Sequence, residues 1–573
     1  MKWKGSKPFP WTRDELNRIF RAMFDLQTSG GWVKNWKDIR DFINPWIGCF
    51  QEDNYNNGER QDYNLLNTSP HLANNIQAAG MQDGITSPYR PWMRLNIKNA
   101  PINDEEIKNW CDEVSSIILD ILNKTDFYDS SLQYYEELGS TGTAAMLVEE
   151  DPDKLIWFRT FTIGEYAIGT TKRGTIDRFA RNIKKSYKEL VDEFGIDNCP
   201  ISVQEAYRNN NYDGHCEVKH LVLPNPNYKE TLNKKKAALA YAKPFLSLYW
   251  ANDSQEDEYL RIDGYNKFQF LVCRWSTKGS EIYGRGPGWY AIGDAINLQD
   301  REEAKALAIK KKVAPPVLID SSAFPNSLNT LPDGENRYTP RQGSSLAVTP
   351  LYNLDYDINA AGAEIQEIEN RINTHFFVDL FKTLANIDRE VSATEVNERV
   401  KEKMVMIGPV LNRVQHEFLQ PLIEILFDIL FRNGMLPEPP DSIKELSGQD
   451  ILSVEYVSNM AQAQKMQGTN NIVSVLTFTE SMMEAFPSVR DLINSDNAVR
   501  NYSDMVGAPA SLLNSDEVVQ ANRKEQAKQQ QIAQAAEMAN SASQTAKNLG
   551  TTPMGTGSVM DALLPGGGAG GSQ

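Results

Sequence analysis

Cysteine is scarce in this 573-residue chain, and the five present (Cys49, Cys111, Cys199, Cys216 and Cys273) show no CxxC spacing. A disulfide scaffold or a thiolate zinc site built on such a motif is therefore not expected, and reduced thiols in a cytoplasmic setting are. Histidine is as scarce: His71, His215, His220, His375 and His416. His215, Cys216 and His220 crowd near Cys199, but adjacent His-Cys does not give a chelating loop. No serine sits in a G-x-S-x-G setting. Apolar runs are short, so no membrane-spanning segment is expected, and "MKWKGSKPFPW" offers no apolar leader. Cation excess is missing too: 76 acidic against 59 basic residues leave a formal charge of −17. Tight binding of duplex DNA by phosphate neutralisation is not expected of such a chain.

What is present reads as a soluble α+β protein rich in helix, with 41% hydrophobic and 24% charged residues. Residues 12–28 predict an amphipathic helix with Leu16, Ile19, Phe20, Met23 and Phe24 on one stripe and Thr12 as cap. A second helix is expected over 64–79, ahead of "GMQDGITSPYRPWMRLNI", where Pro88 and Pro91 break helix, and a third over 103–123. Residues 141–275 mix short strands ("AAMLVEE", "LIWFRTF", "VKHLVLP", "KFQFLVCRW") with one helix at 183–194. Long helices follow at 292–313 and 356–381. The second carries Ile358, Ala361, Ile365, Ile368, Ile372 and Phe376 at three- or four-residue spacing, a stripe with no obvious cover inside a lone hairpin. A third long helix to about 433 is capped by Ser392-x-x-Glu395 and should kink at Gly408-Pro409 and Pro421. A Gln/Ala-rich polar helix and a Gly-rich end complete the chain.

The glycine cluster "IYGRGPGWYAIG" raises a chemical alternative. Gly286-x-Gly288-x-x-Ala291 and the gap from Gly288 to Gly293 loosely fit phosphate-binding loops, so a nucleotide-dependent enzyme using the Gly284–Gly293 loop is the competing reading. Against it, Asp294-Ala295 follow the last glycine where a P-loop needs Lys-Ser/Thr, and an aspartate repels phosphate. A sharp turn feeding a long helix is the simpler account.

Seven stretches in order carry a resemblance: "GMQDGITSPYRPWMRL", "ELGSTGTAAMLVEED", "FRTFTIGEYAI", "KELVDEFG", "DGYNKFQFLVCRW", "IYGRGPG" and "SATEVNERVKEKMVMIGPVLNRVQHEFLQPLI". Together, over residues 12–513, the chain resembles the portal, or head-to-tail connecting, proteins of short-tailed bacteriophages. Ser140-Thr141 stand where the family usually has apolar or aromatic residues. The resemblance implies no enzyme and no cofactor. It implies a structural ring of twelve copies at one capsid vertex of the virion, assembled in the host cytoplasm. The ring would be a conduit for double-stranded DNA in packaging and ejection. Terminase large subunit, tail adaptor, major capsid and scaffolding proteins are its implied partners.

By the same resemblance, residues 1–289 form a wing, 290–313 and 351–381 two stem helices, and 314–350 a clip. Residues 382–391 form a channel loop, 392–480 the kinked helix and the rest of the wing, 481–550 a crown, and 551–573 a disordered tail. Lys382, Arg389, Lys310 and Lys311 are the candidate contacts to DNA. Gly284, Gly286, Gly288, Gly408 and Pro409 are candidate hinges.

Overall fold

The computed structural model describes residues 11–50, 62–97, 105–151, 154–228, 243–252, 254, 258–313, 317–319, 348–350, 357–385, 405–440, 452–458 and 516–550, with a few residues between 460 and 499. Residues 386–391 of the expected loop 382–391, the tail 551–573, Ser392 and Glu395 lie outside the described residues. The chain divides into two compact units. The larger comprises 1–96, 112–438 and 452–473, the smaller 97–111, 439–451 and 474–573.

The larger unit opens with α1 (Arg13–Ser29) and α2 (Trp32–Phe42). Thr12 caps α1 through a reciprocal pair with Glu15, satisfying two amide N–H groups that have no partner inside the helix. α3 (Ser69–Ile85) begins at Ser69 rather than near Asn64, and it does not stop at its glycines. A Cβ on Gly80 would lie 2.3 Å from the Phe381 ring, and one on Gly84 2.7 Å from the Met460 sulfur. Both glycines are there for close packing, which outweighs their helix-breaking tendency. β1 (Met93–Ile97), α4 (Glu105–Lys124) and α5 (Phe127–Ser140) follow.

Two antiparallel sheets form the centre. β2 (Thr143–Asp151), β3 (Leu155–Phe161) and a later strand, β9 (Phe270–Arg274), make a three-stranded sheet ordered β3-β2-β9. The other sheet is a five-stranded meander of β4 (Tyr166–Thr170), β5 (Ile176–Ser186), β6 (His215–Pro224), β7 (Phe245–Ala251) and β8 (Arg261–Tyr265). The helix expected at 183–194 is half strand. Residues 183–186 pair with 215–218 of β6, and only then does Ser186, boxed with Glu189, start α6 (Tyr187–Phe194). The helical spacing of Ile183, Leu190, Val191 and Phe194 misleads because the cross-strand ladder takes the first four residues. α7 is Ile201–Arg208.

α1 covers one face of the meander, burying Leu16, Phe20 and Met23 against Leu221, Leu248 and Trp250. At about 1.5–3 kcal/mol per fully buried side chain, this contact alone fixes the helix on the sheet. Phe179 of the meander stacks on Phe270 of the smaller sheet at 4.0 Å and joins the two. Their shared core extends to α8 (Pro287–Val313) and α9 (Ile358–His375) through Ala291, Ala295, Leu298, Ile365 and Ile372. The ribbon β10 (Val317–Ile319) and β11 (Val348–Pro350) lies between these helices in sequence.

α9 does not reach residue 381 as one helix. Phe377 takes a left-handed φ of 55°, and α10 (Val378–Ala385) starts beyond it. Residues 405–414 are helical, a π-helical turn occupies Gln415–Leu419, and α11 (Gln420–Arg432) continues. The irregularity expected at Pro421 is this turn. Gln420 N–H donates to Gln415 O, one residue further back than an α-helix would allow, just ahead of the proline that has no N–H. β12 (Leu452–Tyr456) pairs with β1. The smaller unit contains α12 (Asp516–Gly550), a polar helix of 35 residues; Arg523 on it holds Asp496 at 2.6 Å.

Candidate functional site

The glycine cluster is a close-packed joint. A Cβ on Gly284 would sit 2.2 Å from Gly142 O, one on Gly286 2.7 Å from Leu138 O, and one on Gly288 2.2 Å from Ser140 O. None of the three takes a positive φ; Gly142 opposite does, at 83°. Backbone lies directly on backbone between residues 138–142 and 284–288, so these glycines provide proximity rather than the freedom expected of a hinge. Their neighbours' N–H groups are spent inside the protein. Gly284 N–H donates to Thr143 Oγ1 at 2.8 Å, Arg285 N–H to Ser276 O at 2.8 Å, and Trp289 N–H to Gly286 O at 3.0 Å. These three amides are therefore not available to a phosphate, and the close approach of residues 138–142 accounts for the glycines without one.

Side chains lock the same joint. Trp289 Nε1 donates to Thr141 O at 2.6 Å, and Arg285 lies over the rings of Trp32 and Trp289. Tyr283, fully buried, receives Gln27 Nε2 at 2.7 Å and Ile168 N–H at 3.1 Å, and burial raises its phenol to about 12. Ser140 and Thr141 return their hydroxyls to the carbonyls of Glu136 and Glu137, closing the end of α5. The Glu137 carboxylate faces inward. It accepts from Thr162 Oγ1 at 2.5 Å and Ile163 N–H at 3.3 Å, and burial raises its pKa to about 8.

From the joint, α8 and α9 leave as an antiparallel pair. Arg371 meets Asp294 at 3.0 Å, and Arg301 meets Glu364 at 3.1 Å, so a step forward from 294 to 301 matches a step back from 371 to 364. β10 and β11 pair antiparallel in nearly the same register, Val317 opposite Pro350. Helices and ribbon therefore form a single excursion. Its base is tied by groups the sequence reading did not single out. Gln299 accepts the N–H groups of Leu66 and Asn67 at 2.8 and 2.9 Å, and Glu369 accepts Asn67 Nδ2 and Ser69 Oγ at 2.8 Å each. The polar run "NLLNTSP" ahead of α3 is the only local signal of them.

The candidate residues are not brought to one point. Lys310 and Lys311 stand exposed in the last turn of α8, about 24 Å along the helix from the Asp294 rung. Their charges suit the negative end of its dipole. Lys382 is exposed in the last turn of α10, not in a loop, and Arg389 lies outside the described residues. Gly408 is buried and Pro409 exposed within helix 405–414.

A His-Ser pair absent from the sequence reading does occur. His220, fully buried and stacked on Tyr249, accepts Arg181 Nε at Nδ1, 2.9 Å away. Its Nε2 must then carry the proton and donate to Ser247 Oγ at 2.9 Å, so it cannot act as the serine's base. Burial and Arg181 push its pKa well below 6.5. Among the described residues no three His, Cys, Asp or Glu side chains gather as a metal site, and no helix is long and apolar enough to cross a membrane.

Comparison with known proteins decides what this architecture belongs to. The family model described as "Bacteriophage head to tail connecting protein" matches residues 13–513. The chain belongs to that family. It is 33% identical over 559 residues to the protein named "Portal protein" of Salmonella phage epsilon15, covering 97% of this chain and 99% of that one. It is also 33% identical over 522 residues to the "Probable portal protein" of Bordetella phage BPP-1, covering 91% and 92%.

Proposed function

We propose that copies of this head-to-tail connecting protein close into a ring, twelve by family resemblance, at one capsid vertex of the virion. Double-stranded DNA passes through it during packaging and ejection. The α8–α9 excursion is the stem of that ring and the β10–β11 ribbon the start of its clip, where terminase large subunit and later a tail adaptor dock. The two sheets form the wing that meets major capsid and scaffolding proteins, and α12 belongs to the crown.

One observation carries the reading. Among the described residues, the excursion is covered mainly at its base. Ile365, Ile368 and Ile372 are at most 5% exposed, whereas Leu307 is 50%, Ile309 37%, Val313 81% and Ile358 39% exposed further out. The stripe on α9 is thus mostly buried within the chain, contrary to expectation, and the demand for a neighbour moves to the outer turns. Apolar side chains on an otherwise charged projection are covered when stems of adjacent copies stand side by side. Lys310, Lys311, Lys382 and Arg389 make weak, sequence-independent contacts to passing phosphates; in an acidic conduit few such contacts keep DNA sliding.

Class-averaged electron micrographs of the purified protein, with native mass measurement, test this directly. A closed ring of high symmetry is expected, and a 64.6 kDa monomer at every concentration would sink the reading.

A further inference from the structure

Between the β4–β5 turn and the helix running through the π-turn lies an open cleft of about 900 Å3. Its rim carries Lys172 and Arg173 at the exposed tip of the turn and Arg413 on the helix. Among the described residues no carboxylate pairs with any of the three, and Arg413 donates to Thr277 Oγ1 at 2.9 Å. The cleft's own carboxylates are held elsewhere, Glu417 by Arg274 at 2.5 Å and Glu281 by Arg285 at 2.6 Å. Ile176, Phe268 and Pro421 add apolar surface.

One wall is the outer edge of β9, which pairs with β2 on its other side. Trp275 N–H donates to Gly142 O at 2.9 Å and Val148 N–H to Gln269 O at 3.1 Å, in a register that sets Thr143 opposite Arg274. Antiparallel pairing alternates, so residues 269, 271, 273 and 275 turn their main-chain groups to β2, and 270, 272 and 274 turn theirs away. Arg274 bears this out, since its N–H donates to Glu417 Oε2 at 2.9 Å. Phe270 and Val272 have no such cap: among the described residues their outward N–H and C=O groups find no partner. Their side chains are buried in the core, Phe270 against Phe179, so main chain is what they offer the cleft. At the edge of β4, by contrast, Gln27 takes Tyr166 O and Tyr283 takes Ile168 N–H. Buried main-chain groups are nearly always paired, and an open strand edge invites another strand.

We propose that this cleft binds an extended, carboxylate-bearing segment of a partner polypeptide, which adds to β9 as a short outer strand. An extended peptide repeats its N–H and C=O every second residue, the spacing at which Phe270 and Val272 offer theirs, and its carboxylates meet Lys172, Arg173 and Arg413. Such charge complementarity is available in a chain of net charge −17 only where cations stand unpaired, as they do at this rim. A duplex backbone carries charge but no donors, so it would leave the two C=O groups unmet. Glu417 already covers the outward N–H of Arg274, which keeps the added strand short. The cleft is complete within one chain and does not depend on ring closure.

Fluorescence anisotropy of the full chain with a labelled hexapeptide alternating glutamate and valine tests this. Saturable binding is expected, and a peptide alternating lysine and valine should not bind. Methylating one alternate set of the peptide's amide nitrogens should weaken binding at least tenfold, while methylating the other set, which faces away from β9, should be tolerated. Arg173→Glu with Arg413→Glu should also weaken it at least tenfold at an unchanged melting temperature. No saturable binding, equal binding of both methylated peptides, or duplex DNA binding that is lost in the same double variant overturns the proposal. Amide exchange read residue by residue is the second arm. In the free chain the N–H groups of Phe270 and Val272 should exchange at least tenfold faster than those of Leu271 and Cys273, and should become protected with peptide bound. Protection already present in the free chain, or appearing only when copies assemble, assigns the edge to another segment or to a second copy and overturns the proposal.

Discussion

The two ends of α8 obey different rules. At its base, Ala291, Ala295 and Leu298 are fully buried, and Gly288 touches the Ser140 backbone. Along its outer turns only Ala308 is covered, while Gly293, on the solvent side of the base, has nothing within 4 Å of where a Cβ would be. A continuous helix is therefore core at one end and uncovered surface at the other. Helical propensity and hydrogen bonding are common to both ends, so what differs is the partner: the sheets' core below and, among the described residues, α9 above. The base is fixed by folding, and the outer end is left for a neighbouring copy to cover in the proposed ring.

The largest effect expected from this contrast is at the joint. Gly142→Ala combines a left-handed φ of 83° with a Cβ 2.3 Å from Gly286 N, and nothing flexible is there to yield. A loss above about 4 kcal/mol, or no soluble protein, is expected. Gly293→Ala in the same helix should be neutral or stabilising by up to about 1 kcal/mol. Equal melting temperatures for the two variants would break the contrast.

Next comes the buried stripe. Ile368→Ala should cost about 2–5 kcal/mol in denaturant unfolding, because it leaves a cavity at a fully packed position. Leu307→Ala should leave unfolding of the unassembled chain within about 0.5 kcal/mol and act on ring formation instead. Equal losses from both would mean that the outer turns are core after all.

The smallest effect is on pH dependence. The folded chain holds the Glu137 proton to about pH 8, whereas the unfolded chain releases it near the ordinary carboxyl value of 4.5. Its contribution is present below about 4.5 and is lost as pH rises toward 8. Glu137→Gln should flatten that part of a stability–pH profile. His220 acts oppositely: its folded pKa is lowered, so stability declines as pH falls below about 6.5. Because Glu137 lies one turn from the joint, its slope should be unchanged by Leu307→Ala.

Local signals were legible where local chemistry decides. Thr12-x-x-Glu15 caps α1 as expected, the stripe on α9 is helical, and most strand segments of 141–275 are strands. The same logic failed where a distant group competes. Gly80 and Gly84 look like breakers until Phe381 and Met460 occupy the space beside them, and Ile183 looks helical until β6 lies alongside. Lys382 looks like loop from the sequence because Phe377, not residue 382, ends α9, and a left-handed phenylalanine has no sequence signature.

The sequence by itself determined the family, the acidity and the order of the elements, since these rest on residue identity and short-range spacing. Tertiary structure alone decided what the glycines of "YGRGPG" are for, which side chains of α8 and α9 are covered, and that Glu137 and His220 are buried away from their ordinary pKa values. Proximity across more than a hundred residues sets those properties, and neither a pattern of three or four positions nor a composition records it.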